Sequence, residues 1–185
     1  MDQLTNITQH ILAISKGEDI ALNVVVEALY DQLCQIANLQ LNKLNPDNIS
    51  ATELVHELYL KLSHCMQFNA NNRQHFLAIS ATAMRQLVID QLKAKGREKR
   101  GGDLVATTLS DTKMPVLKNQ LEILAVDEAL SKLKNIEPKL SSTVECRYFA
   151  GYSEQETAEA LGVNERTVRR YWTRAKRWLS MELTR

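Results

Sequence analysis

Hydrophobic residues recur at helical spacing along most of this chain, and strand-like alternation is absent. Leu4 to Ser15 is a short periodic segment that stops near Gly17. Glu18 and Asp19 then open a long helix, with Val25, Leu29, Leu33, Ile36 and Leu41 on one stripe. The run Asn45-Pro46-Asp47-Asn48 ends it, since proline cannot continue the hydrogen-bond ladder. Ser50 and Glu53 have the spacing of a capping box, and Leu54, Leu58 and Leu62 follow as the apolar stripe, with Val55 and Tyr59 beside it. A polar loop over 69–72 precedes a helix from about Gln74 to Lys99, whose expected core is Phe76, Ile79, Ala83, Leu87 and Ile89. Gly101-Gly102 breaks it. Periodicity is weak from 103 to about 118 and resumes at Leu121. Glu137-Pro138 starts another helix, closed by Gly151. The pattern predicts an all-α fold of two small helical domains, residues 1–100 and 119–185, joined by a flexible linker over 101–118.

The segment from Gly151 to Leu179 carries a more specific signal. Ser153 and Glu156 form a second capping box, Gly162 supplies a permissive turn, and Asn164 is a good N-cap for the next helix. Short helix, glycine turn and second helix make a helix-turn-helix. In the second helix Val168, Trp172, Ala175 and Leu179 should face inward. The remaining surface is basic. Glu165, Arg166, Arg169 and Arg170 are placed to read base edges in a major groove, and Thr173, Arg174, Lys176 and Arg177 to hold phosphates. Asn164 and Thr167 complete the expected DNA face at the helix start.

Composition sharpens this reading. The 185 residues include only 6 Gly and 3 Pro, which favours long helices over a turn-rich β fold. A net charge of +1 argues against nucleic acid only if it is evenly spread, and it is not. Residues 71–102 carry seven Lys/Arg against two Asp/Glu, as do residues 162–185, whereas residues 1–70 carry three against eight. Two basic modules on one chain suggest two contacts on one nucleic acid. No apolar run is long enough to span a bilayer, and the N-terminus lacks a secretory pattern, so a cytoplasmic protein with no membrane insertion is expected. Cys34, Cys65 and Cys146 read as free thiols, and His56, His64 and Cys65 lack metal-ligand spacing. Neither a metal, a cofactor nor a catalytic motif is expected.

In this order the motifs resemble an extracytoplasmic-function (ECF) sigma factor of the sigma-70 family of bacterial RNA polymerase subunits, and in particular its ECF-like subset. The resemblance covers nearly the whole chain. Gly151-Tyr152-Ser153-Glu154-Gln155-Glu156-Thr157-Ala158, Thr167-Val168-Arg169-Arg170 and Arg174-Ala175 are similar to the helix-turn-helix that reads the −35 element. Glu53-Leu54-Val55-His56-Glu57 with Tyr59-Leu60-Lys61-Leu62 is similar to the family's polymerase-clamp helix, and Ile89-Asp90-Gln91-Leu92-Lys93 to the end of its −10 helix. The resemblance implies that residues 1–100 are a sigma region 2-like domain and residues 119–185 a sigma region 4-like domain. It implies polymerase contacts at Glu53, Val55, His56, Glu57 and Leu60, made to the clamp of the largest subunit. It implies −10 contacts at Asn71, Asn72, Arg73, Arg85, Gln86, Lys93 and Lys95. The polymerase performs the chemistry.

Two departures from the family pattern carry expectations. Gln86 stands where many members have Asn. Ser50 and Thr52 stand where many have acids facing the clamp. A phosphate on Thr52, or on Ser50 as the second candidate, would restore the negative charge at a helix N-terminus. A Ser/Thr kinase or an anti-sigma factor is then a possible further partner. A stand-alone helix-turn-helix regulator of duplex DNA is the alternative reading, with a recombinase and a protein-only adaptor behind it.

Overall fold

A computed structural model describes residues 2–14, 19–44, 49–64, 69–98 and 120–184. Among these the chain is helical and contains no strand. The helices are α1 (Asp2–Ile14), α2 (Asp19–Ala28), α3 (Tyr30–Leu44), α4 (Ala51–Ser63), α5 (Arg73–Glu98), α6 (Gln120–Ile136), α7 (Pro138–Val144), α8 (Glu154–Leu161) and α9 (Glu165–Leu183). A π-helical turn, Glu145–Phe149, prolongs α7. The linker expected over 101–118 lies outside the described residues, as does Cys65. No described helix is long and apolar enough to cross a membrane, and no group of His, Cys, Asp and Glu among the described residues could hold a metal ion.

The expected long second helix is interrupted once, at Leu29. Its ladder nevertheless continues, with Leu29 N–H donating to Val25 O at 3.0 Å and Leu33 N–H to Leu29 O at 2.9 Å. Val25, Leu29 and Leu33 keep one buried stripe through the interruption. The capping box of α4 forms as expected. Ser50 Oγ accepts from Glu53 N–H at 3.2 Å, and Glu53 Oε2 accepts from Ser50 N–H at 2.7 Å. Leu54, Leu58 and Leu62 are buried behind it, each worth about 1.5–3 kcal/mol of transfer free energy.

The central element is α5. Phe76 and Ile89 are buried as expected, but Ile79, Ala83 and Leu87 are only partly buried. The enclosed face instead runs through Leu77, Ala81, Met84, Val88 and Leu92. Apolar residues lie around much of the helix because it is covered from several directions. α1, α3 and α4 pack on it from one half of the chain, and α6, α8 and the π-helical turn from the other. The two expected domains thus share one continuous hydrophobic core.

Polar contacts also fasten this seam. Tyr152 Oη donates to Gln74 O at 2.9 Å, Asn72 Nδ2 to Glu159 O at 3.3 Å, and Lys43 Nζ to Tyr148 O. The π-helical turn inserts an extra residue, with Ala150 N–H reaching back to Glu145 O. Within it Glu145, Tyr148 and Phe149 are all buried. Glu145 and Tyr148 make direct polar contacts with the N-terminal half.

Candidate nucleic-acid interface

The helix-turn-helix is assembled by local hydrogen bonds. Ser153 Oγ accepts from Glu156 N–H at 3.1 Å and Glu156 Oε2 accepts from Ser153 N–H at 2.8 Å, which starts α8. Gly162, at φ 63°, ends it in the left-handed region, and Asn164 Oδ1 caps α9 by accepting from Thr167 N–H at 2.8 Å. Val168, Ala175 and Leu179 are buried as expected, and Trp172 is half-buried with Lys176 and Arg147 over its ring.

The opposite face of α9 is open. Asn164, Glu165, Arg166, Arg169, Arg170, Thr173, Arg174 and Arg177 are exposed, while Thr167 and Lys176 are half-buried. Arg169 pairs with Glu154 at 2.8 Å, and Arg174 with Glu137 at 2.8 Å. Both guanidiniums are more than half exposed, so these pairs are weak and can be exchanged for phosphates. Together these residues form a cationic strip along one helix.

On α4, Glu53, His56, Glu57 and Leu60 are exposed along one stripe. Hydrogen bonds from the Ser50 backbone and side chain hold the Glu53 carboxyl below its ordinary range, which keeps this face acidic. Val55 departs from the expected set. It is 2% exposed and belongs to the core, because it turns toward the Leu54–Leu58 side of the helix.

The expected −10 residues are placed less openly. Asn71 is exposed. Asn72 Oδ1 accepts from His75 N–H at 2.7 Å, beside its contact with Glu159. Arg73 Nε donates to Gln32 Oε1 at 3.1 Å. The Lys95 side chain lies outside the described residues. Arg85 is the clear departure from a DNA-facing role, at 4% exposed. Its Nε lies 3.0 and 3.1 Å from the two Glu145 oxygens, its second amino group 2.7 Å from Glu145 Oε1, and its first 2.6 Å from Asp127 Oδ1. The Phe149 ring lies 5.2 Å from the guanidinium carbon. Lys93 Nζ bonds Asp127 Oδ2 at 2.9 Å, and Gln86 Nε2 reaches Asp127 Oδ1 at 3.5 Å.

Burial works against the charge on Arg85, but Glu145 and Asp127 outweigh it and hold the guanidinium protonated. The two carboxyls respond in opposite directions. Glu145 is enclosed with one cation, and burial pushes its carboxyl up against the pull of Arg85. Asp127 also loses water, but Lys93 and Arg85 together hold its carboxyl below the ordinary range.

Sequence reasoning did not single out Asp127 and Glu145. A signal for Asp127 was present: it lies on the buried α6 stripe with Ile123, Val126 and Leu130. An acid at such a position requires a buried cation. Arg85 shows the same signature between Ala81 and Val88.

A comparison with curated proteins finds no match. The model of the ECF sigma factor family matches residues 4–185, which takes in both halves, the acidic stripe of α4 and the cationic strip of α9. The chain belongs to the ECF sigma factor family.

Proposed function

We propose that this protein directs core RNA polymerase to a distinct set of promoters through three surfaces. As an ECF sigma factor it serves transcription initiation as an alternative sigma subunit and leaves the chemistry to the polymerase. The acidic α4 stripe, Glu53, His56, Glu57 and Leu60, docks on the clamp. The Asn71–Arg73 segment and α5 hold the −10 strand. The strip on α9 reads the −35 duplex, with Arg166, Arg169 and Arg170 toward bases and Arg174, Lys176 and Arg177 toward phosphates. The observation that carries this reading is the segregation of charge: an exposed acidic helix in one half and an exposed cationic helix in the other, within one family match.

The affinity for polymerase is set at the start of α4. Ser50 is committed to the capping box, but Thr52 is exposed at the second position of the helix, its hydroxyl 3.0 Å from Ser50 Oγ. A phosphate there adds about −1.5 to −2 charges beside Glu53, where helix N–H groups favour an anion. A Ser/Thr kinase is the partner this requires.

Run-off transcription with core polymerase on genomic fragments tests both statements. New transcripts should depend on the protein, and core affinity should rise from Thr52→Ala to Thr52→Glu or to kinase-treated wild type. Absence of transcripts in every form would remove the sigma reading. Equal core affinity in all forms would remove the Thr52 reading alone.

A further inference from the structure

The side chains expected to meet the −10 strand converge on one carboxylate of the other half. Asp127 accepts from Arg85 at 2.6 Å and Lys93 at 2.9 Å, and Gln86 lies 3.5 Å away. Glu145 completes the enclosure of the Arg85 guanidinium. Lys93 is half exposed, so the cluster runs from a buried end at Arg85 to a rim open to solvent. Two oxyanions bridged by a row of cationic and amide donors on a helix have the chemistry of a nucleic-acid backbone on its binding surface. The α9 strip, by contrast, stays exposed in the same arrangement.

We infer that Asp127 and Glu145 act as an internal mimic of the promoter strand, closing the −10 surface of α5 until the two halves part. The inference rests on the sigma reading for the identity of the displaced ligand. The latch competes from within the chain, so its effective concentration exceeds that of any free strand. A guanidinium cannot be left bare in a core, so Arg85 stays with its carboxylates until the seam opens as a unit. Opening frees Arg85, Gln86 and Lys93 together. A strand or a polymerase surface that binds only the open form therefore shifts the equilibrium by its own affinity. The −35 strip needs no such release, so the two promoter contacts differ in when they become available.

The test uses the full chain and a random-sequence single-stranded DNA oligonucleotide, with a random-sequence duplex as the second probe. Asp127→Asn and Asp127→Asn/Glu145→Gln should enlarge the chain in small-angle scattering. They should also tighten single-strand binding about tenfold, the change expected if only one wild-type molecule in ten is open. Duplex binding should stay as in wild type. Glu128→Gln makes the same charge change on the exposed neighbour in α6 and should do neither. Circular dichroism checks folding. If the buried-charge variants fail to fold, Tyr152→Phe removes the Gln74 contact across the seam without touching the Arg85 cluster and should give the same two changes.

Wild-type dimensions and wild-type strand affinity in the latch variants, with polymerase binding intact, would overturn the latch alone. Loss of DNA and polymerase binding in every form, with the chain still expanding, would overturn the sigma reading and the mimicry that rests on it.

Discussion

Two glycines separate local strain from the fit between the halves. Gly162 and Gly151 both sit at positive φ, 63° and 73°. A Cβ on Gly162 meets nothing within 4 Å, whereas one on Gly151 comes 3.0 Å from Leu39 Cδ2 on α3. Gly162→Ala should therefore cost only the left-handed penalty, about 1–2 kcal/mol, seen as a lower urea midpoint with normal dimensions. Gly151→Ala pays the same penalty and also forces Leu39 to give by a few tenths of an ångström at the seam. It should be the more destabilising of the two and should enlarge the chain in scattering. Equal midpoints and equal dimensions for the two variants would mean that the Leu39 contact carries no weight.

At the scale of elements, the sequence was most readable where structure is local. Both capping boxes, the Gly162 turn, the Asn164 cap and the buried side of α9 follow from residues within one or two turns of each other. Long-range packing was less readable. The expected core of α5 was displaced around the helix because its periodicity does not state how many neighbours cover it. The burial of Val55 and Arg85 was not readable for the same reason: surface or core depends on partners distant in sequence. Glu145 lies 60 residues from Arg85 and is aimed by a π-helical insertion for which the sequence offers no strong signal. On α9 itself, the proposed division between base and phosphate contacts runs along the helix. Arg170→Ala, near the start, should weaken cognate −35 duplex by about 1–3 kcal/mol and relax sequence preference. Arg177→Ala, two turns on, should weaken all duplexes alike and reduce the salt slope by about 1. Binding isotherms on cognate and scrambled duplexes at several salt concentrations distinguish these outcomes, and identical profiles for the two variants would contradict the division.

For the whole molecule, the net charge of +1 conceals modules that neutralise one another across a seam. Arg85 and Lys93, two of the cations expected to meet DNA, pair with the chain's own Asp127, so on the proposed reading closure and promoter binding draw on the same charges. Lys43 makes the seam sensitive to pH. Its ammonium lies 4.2 Å from the centre of the Tyr148 ring, and its Nζ donates to the Tyr148 carbonyl. Burial lowers its pKa to about 8, and parting of the halves would return it toward 10.5. Between those values the closed form binds fewer protons than the open form, so raising the pH through this window favours closure. Below pH 8 both forms are protonated, and the cost of enclosing the charge is present in full. Burial also pushes the Glu145 carboxyl up, and a shift of that sign favours opening as pH rises through it. The lysine's contribution is therefore the difference between two titrations, wild type and Lys43→Met, followed by small-angle scattering from pH 7 to about 9.5, below the range in which Tyr148, pushed up to about 12, begins to matter. Wild type should gain closure relative to Lys43→Met as pH rises above 8. Parallel titrations would place Lys43 outside the closing equilibrium and leave the Arg85 cluster as the main electrostatic tie between the halves.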